Sequence, residues 1–312
     1  MWRIGLVILV FSFLQPPLFS QQDVWEIGGG VGSAHYLGDI GGREEVISNF
    51  GPSDLILSST RFTAGAMGRL MLNYRLYSTF QLNYIMLHGE DRTSVNTSRE
   101  GRNLDFSNHV IEATGRIEYH PVIIRDLGNK RRFRAGLHWY VFLGLGVIYH
   151  NPYTEYNGET VFLPKLQTEG PDKKYSQVQP VVPMGTGFFI KFKDRGRSYM
   201  KNRIGLDINY RYTPTDYLDD ISTSYPDAST ITDPVAKDLY YRGWELKPGQ
   251  EDPNTRVFPN EGGRRGDPDH NDVYFTVSIY YVRLLSTGKR RFKIPRYEEF
   301  YGRSRKKRRS KL

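Results

Sequence analysis

His35, Asp39, His88, His150 and Asp216 are the residues of this 312-residue chain whose types could do chemistry together. A hydrolase would set a histidine as base between a serine nucleophile and an acid that orients the ring. His35 and Asp39 stand four apart, yet no nucleophile elbow and no HExxH pattern accompanies them. The chain has no cysteine, which removes a thiolate nucleophile, a disulfide framework, a Cys-based zinc site and an acylated lipoprotein anchor. Asp219, Asp220, Asp227 and Asp233 crowd one stretch, but not at the spacing of an EF-hand loop. Calcium or lipopolysaccharide are the ligands such a stretch could hold. The pattern points away from an enzyme, and no cofactor is expected.

A second set of charges is placed more regularly. Arg69, Glu112, Arg116, Glu118, Asp207 and Arg211, with Arg75 beyond them, lie in or beside segments where apolar and polar residues alternate with period two. In "RFTAGAMGRLMLNYR", Phe62, Ala64, Ala66, Leu70 and Leu72 share one face while Thr63, Arg69 and Asn73 share the other. "LYSTFQLNYIML", "NHVIEATGRIEYHP", "RIGLDINYRYT" and "DVYFTVSIYY" alternate in the same way. "DVWEIGGGVGSA", "LHWYVFLGLGVIY" and "VVPMGTGFFIKF" alternate more weakly. These segments predict eight strands of roughly ten residues or more, longer than the five or six common in soluble sandwiches.

One apolar face and one face carrying charges of both signs fits a barrel that turns its apolar side to lipid and its polar side inward. Inside so narrow a barrel these seven charges, Arg75 included, are expected to face inward and pair with one another. The connections run long and short in turn: 36–60, a tight turn at Arg75 to Tyr77, 90–106, 121–132, 151–178, 194–202 and 214–271. Alternation of short turns and long loops predicts an all-β, eight-stranded antiparallel up-and-down transmembrane barrel with long extracellular loops, both chain ends leaving on the periplasmic side. Tyr74, Tyr77, Tyr119, Trp139, Tyr149, Tyr153 and Tyr212 fall near strand ends, where an aromatic girdle belongs.

The two ends differ from this body. Residues 1–20 carry Arg3, an apolar run over Ile4 to Leu14 and a small residue at Ser20, the pattern of a signal peptide. The barrel is assigned to 21–285 and the outer membrane is its expected location. Residues 286–312 hold twelve Lys or Arg against two Glu, whereas the rest of the chain is nearly neutral. An arm this basic suits nucleic acid, but an exported chain meets none. Acidic protein surfaces and lipid headgroups remain as partners. Phe292, Tyr297 and Phe300 interleave with the charges and suit docking on a partner, while Arg305, Lys306, Lys307, Arg308 and Arg309 form an electrostatic arm.

Four segments carry a resemblance: "EIGGGVGSAHYLGDI", "NPYTEYNGETVFLPKLQTEG", "PVVPMGTGFFIKF" and "YRYTPTDYLDDISTSY". In this order they resemble the PorG family, outer-membrane barrels of the type IX secretion system of Bacteroidota. The residues that carry it in the loops are Asp39, Asn151, Gly158, Glu169, Gly170, Tyr217, Asp219 and Asp220. The resemblance implies a non-enzymatic structural component whose partners are the periplasmic ring proteins, PorK and PorN. The long basic extension is a departure from what the resemblance covers. The alternative function is a small outer-membrane pore, or an adhesin-like barrel acting through its extracellular loops.

Overall fold

The computed structural model describes residues 24–41, 57–94, 96–124, 135–171, 173–192, 201–247, 249–250 and 256–285. The signal-peptide assignment at 1–20 and the basic arm at 286–312 lie outside the described residues.

Eight long strands form the wall: β1 (Val24–Leu37), β2 (Arg61–Met71), β3 (Leu76–Glu90), β4 (Asp105–Ile124), β5 (Ala135–Tyr149), β8 (Val178–Phe192), β9 (Asn202–Tyr212) and β10 (Val273–Leu285). Each pairs antiparallel with its neighbour in sequence, and the β1–β10 pairing closes the ring. Between β5 and β8 the chain makes a hairpin, β6 (Pro152–Tyr156) and β7 (Glu159–Phe162). The hairpin adds to the beginning of β4, at its long-loop end, through Ser107 and Asn108. Its turn is Asn157-Gly158, with φ of 53° and 80°, the two successive positive values that a type I′ turn demands.

The alternation decides which face each residue takes. Phe80, Leu82, Ile117, Leu143, Leu145, Ile204 and Ile279 point out of the wall, Leu145 with 72% of its surface exposed. Arg69, Glu112, Glu118 and Tyr140 lie on the inner face and have none. A soluble domain would hide the first group and wet the second, so the wall is built for lipid outside. No described helix is long and apolar enough to cross a membrane.

The interior is filled in layers. Nearest the short turns, Met67, Tyr140, Phe142, Phe189, Tyr280 and Val282 pack together. Inward glycines make room for two of these rings: a Cβ on Gly187 would stand 2.3 Å from the Tyr140 ring, and one on Gly205 2.3 Å from that of Tyr280. At the long-loop end Ala34, Ile85, Leu87, Phe106, Val110, Ile148 and Val181 form a second cluster, which Leu218 and Ile221 close from the β9–β10 loop.

Two expectations from sequence are corrected. Tyr77 is no girdle residue: it is buried inside the barrel with its ring against His120. It shares the parity of Thr79 and Gln81, both inward, and position in the pleat outweighs aromatic type. Arg75 does not face inward, because β2 ends at Met71 and the turn resets the pleat before β3. Its guanidinium lies over the Tyr74 ring and donates to the Tyr119 hydroxyl at 3.3 Å.

Candidate functional site

The structure places the six interior charges as two groups. In the lower one Arg69 meets Glu118 at 3.0 Å and Glu26 at 3.7 Å. Arg116 bridges Glu118 at 3.0 Å and Asp207 at 2.7 Å. Arg203 closes the other end on Glu26. Thr79 sits in the middle, accepting from Arg69 and donating to Glu118 at 2.7 Å. In the upper group Arg211 meets Glu112 at 2.6 Å, and Tyr274 and Asn83 donate to the same carboxylate at 2.7 Å each.

Each acid thus has an arginine, which offsets the cost of taking charges out of water. The arginines also lie on rings, Arg116 4.1 Å from the Phe142 centroid and Arg69 5.4 Å from that of Phe189. The space left among Thr63, Gln81, Asn83, Asp207, Asn209 and Thr276 is a cavity of about 30 Å³, room for one or two waters. Above it stands the apolar cluster of Ile85, Leu87, Val110 and Ile148.

Sequence reading assigned Glu26 and Arg203 to no pair, although both belong to the network. Glu26 stands between outward Trp25 and Ile27, a parity signal that the following glycines dilute. His120 and His138 form a further inward contact at 3.3 Å.

The second site is the cap made by the long loops. The loop residues of the family motifs divide. Asp39, Glu169, Gly170, Tyr217, Asp219 and Asp220 come together over the mouth, whereas Asn151 and Gly158 belong to the hairpin. Asn151 donates its amide to Asn108 and accepts from Gln177 at 2.8 Å. Gly158 supplies the turn. Tyr217 stacks on Tyr175 with centroids 4.5 Å apart, and Leu218 is fully buried.

Two arginines pin the cap, and the sequence reading assigned neither. Arg102 grips Asp91 at 2.7 Å and donates to the Asp39 carbonyl at 2.8 Å. Arg265 meets Glu169 at 3.0 Å and donates to the Asp220 carbonyl at 2.9 Å. Burial alone would raise the Glu169 pKa, but Arg265 and the amides of Ser222 and Thr223 hold it below the usual range. Asp220 adopts φ 72°, a left-handed backbone that aspartate tolerates better than most residues. Its carboxylate accepts from Thr168 at 2.5 Å and Tyr175 at 2.6 Å, and burial pushes its pKa up to about 6.

The three candidate histidines do not converge with the candidate aspartates Asp39 and Asp216, which face one another at the barrel mouth. His35 contacts Ser33 and Thr60, His88 contacts Ser107, and His150 contacts the Ser176 carbonyl. Asp39 accepts from the Asp267 amide. Asp233 caps the short helix Pro234–Leu239 and Asp227 ties a turn to Ser229. Among the described residues no three acidic or histidine side chains form a group that could hold a metal ion.

A closed eight-stranded antiparallel wall, apolar outside and charged inside, defines an outer-membrane β-barrel, and the outer membrane is where such a wall is stable. No protein-family model matches the chain, and no curated protein matches it. Among solved structures it is similar to Ail, the attachment invasion locus protein of Yersinia pestis, at 8% identity and a TM-score of 0.33, over 85% of this chain and 100% of that one. It is also similar to the N-terminal barrel domain of Pseudomonas aeruginosa OprF, at 9% identity and 0.31, over 85% and 98%. Neisserial surface protein A matches at 9% identity and 0.29, over 84% and 95%. These likenesses are too distant to bear on function, and the class rests on the strand closure and polarity of the chain itself.

Proposed function

We propose that this barrel is a structural part of the type IX protein secretion machine, tying the periplasmic ring of PorK and PorN to the outer membrane. The observation that carries this reading is the filled interior. Paired charges, rings and an apolar cluster occupy the bore, and the cavity among them holds about 30 Å³. A solute path would need a continuous wet lumen, and a catalyst would need converging side chains. A packed wall with a pinned cap suits a rigid post. The resemblance of the loop segments supplies the machine, and the basic arm at 286–312 supplies a periplasmic contact of the right sign for acidic ring surfaces or headgroups.

The loop-acting alternative is favoured by one feature, the cap itself, in which Arg102 and Arg265 order residues from several loops. Deleting the gene distinguishes the two readings. As a ring anchor, its loss frees the ring proteins from the outer-membrane fraction and stops type IX export. As a loop-acting barrel, its loss leaves both unchanged, and that result rejects the proposal.

A further inference from the structure

Four aspartates meet at the barrel mouth from separate segments. Asp39 follows β1, Asp216 and Asp219 follow β9, and Asp272 precedes β10. The hydroxyl of Tyr36, near the end of β1, lies between two of them, 2.7 Å from Asp219 Oδ2 and 2.5 Å from Asp272 Oδ1. The Asp39 amide also donates to it at 3.1 Å. A phenol has one proton to give. It can donate to one carboxylate and must accept at the other contact, so one carboxyl group carries a proton of its own.

The remaining contacts favour Asp272 as the protonated partner. Asp219 Oδ2 accepts also from the Ile40 amide at 3.1 Å, and its other oxygen accepts from Ile221 at 2.9 Å. Among the described residues Asp272 Oδ1 has only the phenol, while Oδ2 accepts from Leu218 at 2.9 Å. The proton chain then runs from Asp272 to Tyr36 to Asp219.

Among the described residues nothing nearby makes up for losing that proton. The charged groups facing the cluster are Asp39, Asp216, Asp267, Glu169, Arg99, Arg102 and Arg265. Arg102 is engaged by Asp91 and Arg265 by Glu169. Arg99 donates to the Gly41 carbonyl. Asp216 is 6% exposed, and neither of its carboxylate oxygens closes a hydrogen bond, although the Ser222 hydroxyl faces it.

We propose that the long-loop cap is a proton-locked clasp, held to the rim by the Asp272–Tyr36–Asp219 bridge and released as pH rises. The bridge joins the β9–β10 loop to β1, and with it go Leu218 and Ile221, which cover the apolar cluster at the mouth. Burial and the neighbouring acids push Asp272 well above the usual carboxylate range and Asp216 up to about 10. The sign follows from proton counting. These carboxyls bind protons more tightly in the closed cap than in the open one. Closure is favoured at low pH and weakens as pH rises from near 4 through the raised values, by about tenfold per pH unit for each such group.

The test uses the purified full chain in phospholipid vesicles. Loop cleavage by proteinase K is followed from pH 6 to 9.5 and normalised to an unstructured peptide at each pH. Barrel integrity is checked by the gel mobility of unheated samples. Wild-type cleavage should accelerate by at least about tenfold per unit between pH 6 and 8. Asp272→Asn should reduce that slope by about tenfold per unit, since its amide donates to Tyr36 at every pH. Adding Asp216→Asn should flatten the profile further. Tyr36→Phe should open the cap already at pH 6. A wild-type profile without slope, an unchanged slope in Asp272→Asn, or a closed cap in Tyr36→Phe overturns the proposal. Protection that follows added calcium and is lost with chelator at fixed pH also overturns it, in favour of a cation.

Discussion

Arg116→Glu is the substitution the barrel interior should tolerate least. Arg116 is buried, and its guanidinium meets Glu118 at 3.0 Å and Asp207 at 2.7 Å. Removing one partner of a buried ion pair typically costs about 3–5 kcal/mol, because the other charge stays in place without compensation. Here two acids lose their partner at once, and the new carboxylate adds repulsion. Arg69, the nearest remaining base, is already shared by Glu118 and Glu26. The expected loss is at least about 4 kcal/mol. With a denaturant slope of about 1–3 kcal/mol per molar urea, the unfolding midpoint falls by on the order of 2 M. The assay is urea unfolding of the barrel in vesicles, scored by the fraction that keeps fast mobility on unheated gels. An unchanged midpoint would refute the ion-pair account of the interior.

The outward neighbour gives the complementary test: Ile117→Arg puts a charge in lipid and should cost roughly 2–4 kcal/mol near the midplane, and a harmless outcome would mean the two faces are assigned the wrong way round. In planar bilayers the full chain should add no steady conductance, because paired charges and rings fill the bore; stable single-channel steps would support the pore alternative. Glu169→Gln should loosen the cap at neutral pH by about 1–3 kcal/mol, read as faster loop proteolysis, since Arg265 is then left buried without its acid. The Glu169 contribution is present above its open-state pKa and fades as pH falls through the lower closed-state value, so the same loosening should appear in wild type at strongly acid pH.

Much of the wall was legible because a barrel enforces period two on every strand. Arg69, Glu112, Arg116, Glu118, Asp207 and Arg211 could be set on one face from parity alone. Their partners could not. Glu112 and Arg211 are 99 residues apart, and the stagger between β4 and β9 that joins them is a property of closure. Parity misleads only where the pleat restarts, as at Arg75 beyond the end of β2. At Tyr77 the parity was right, and the preference for aromatics at strand ends was the weaker argument. The hairpin at 152–162 had its signal in Asn157-Gly158 between alternating residues. The meeting of Asp39, Asp219 and Asp272 with Tyr36 had none, because only the β1–β10 seam brings the first and last strands side by side.

The central claim is the tie to the periplasmic ring, and co-purification tests it most directly. The full chain, affinity-tagged in an extracellular loop, is isolated from detergent-solubilised outer membranes beside a chain lacking residues 286–312. The full chain should bring down both ring proteins. The truncated chain should stay membrane-inserted and recover much less of them. Raising salt to 1 M should reproduce part of that loss, because screening shortens to about 3 Å. Ring proteins absent from the full-chain eluate would contradict the account, and the barrel would then have to act through its loops.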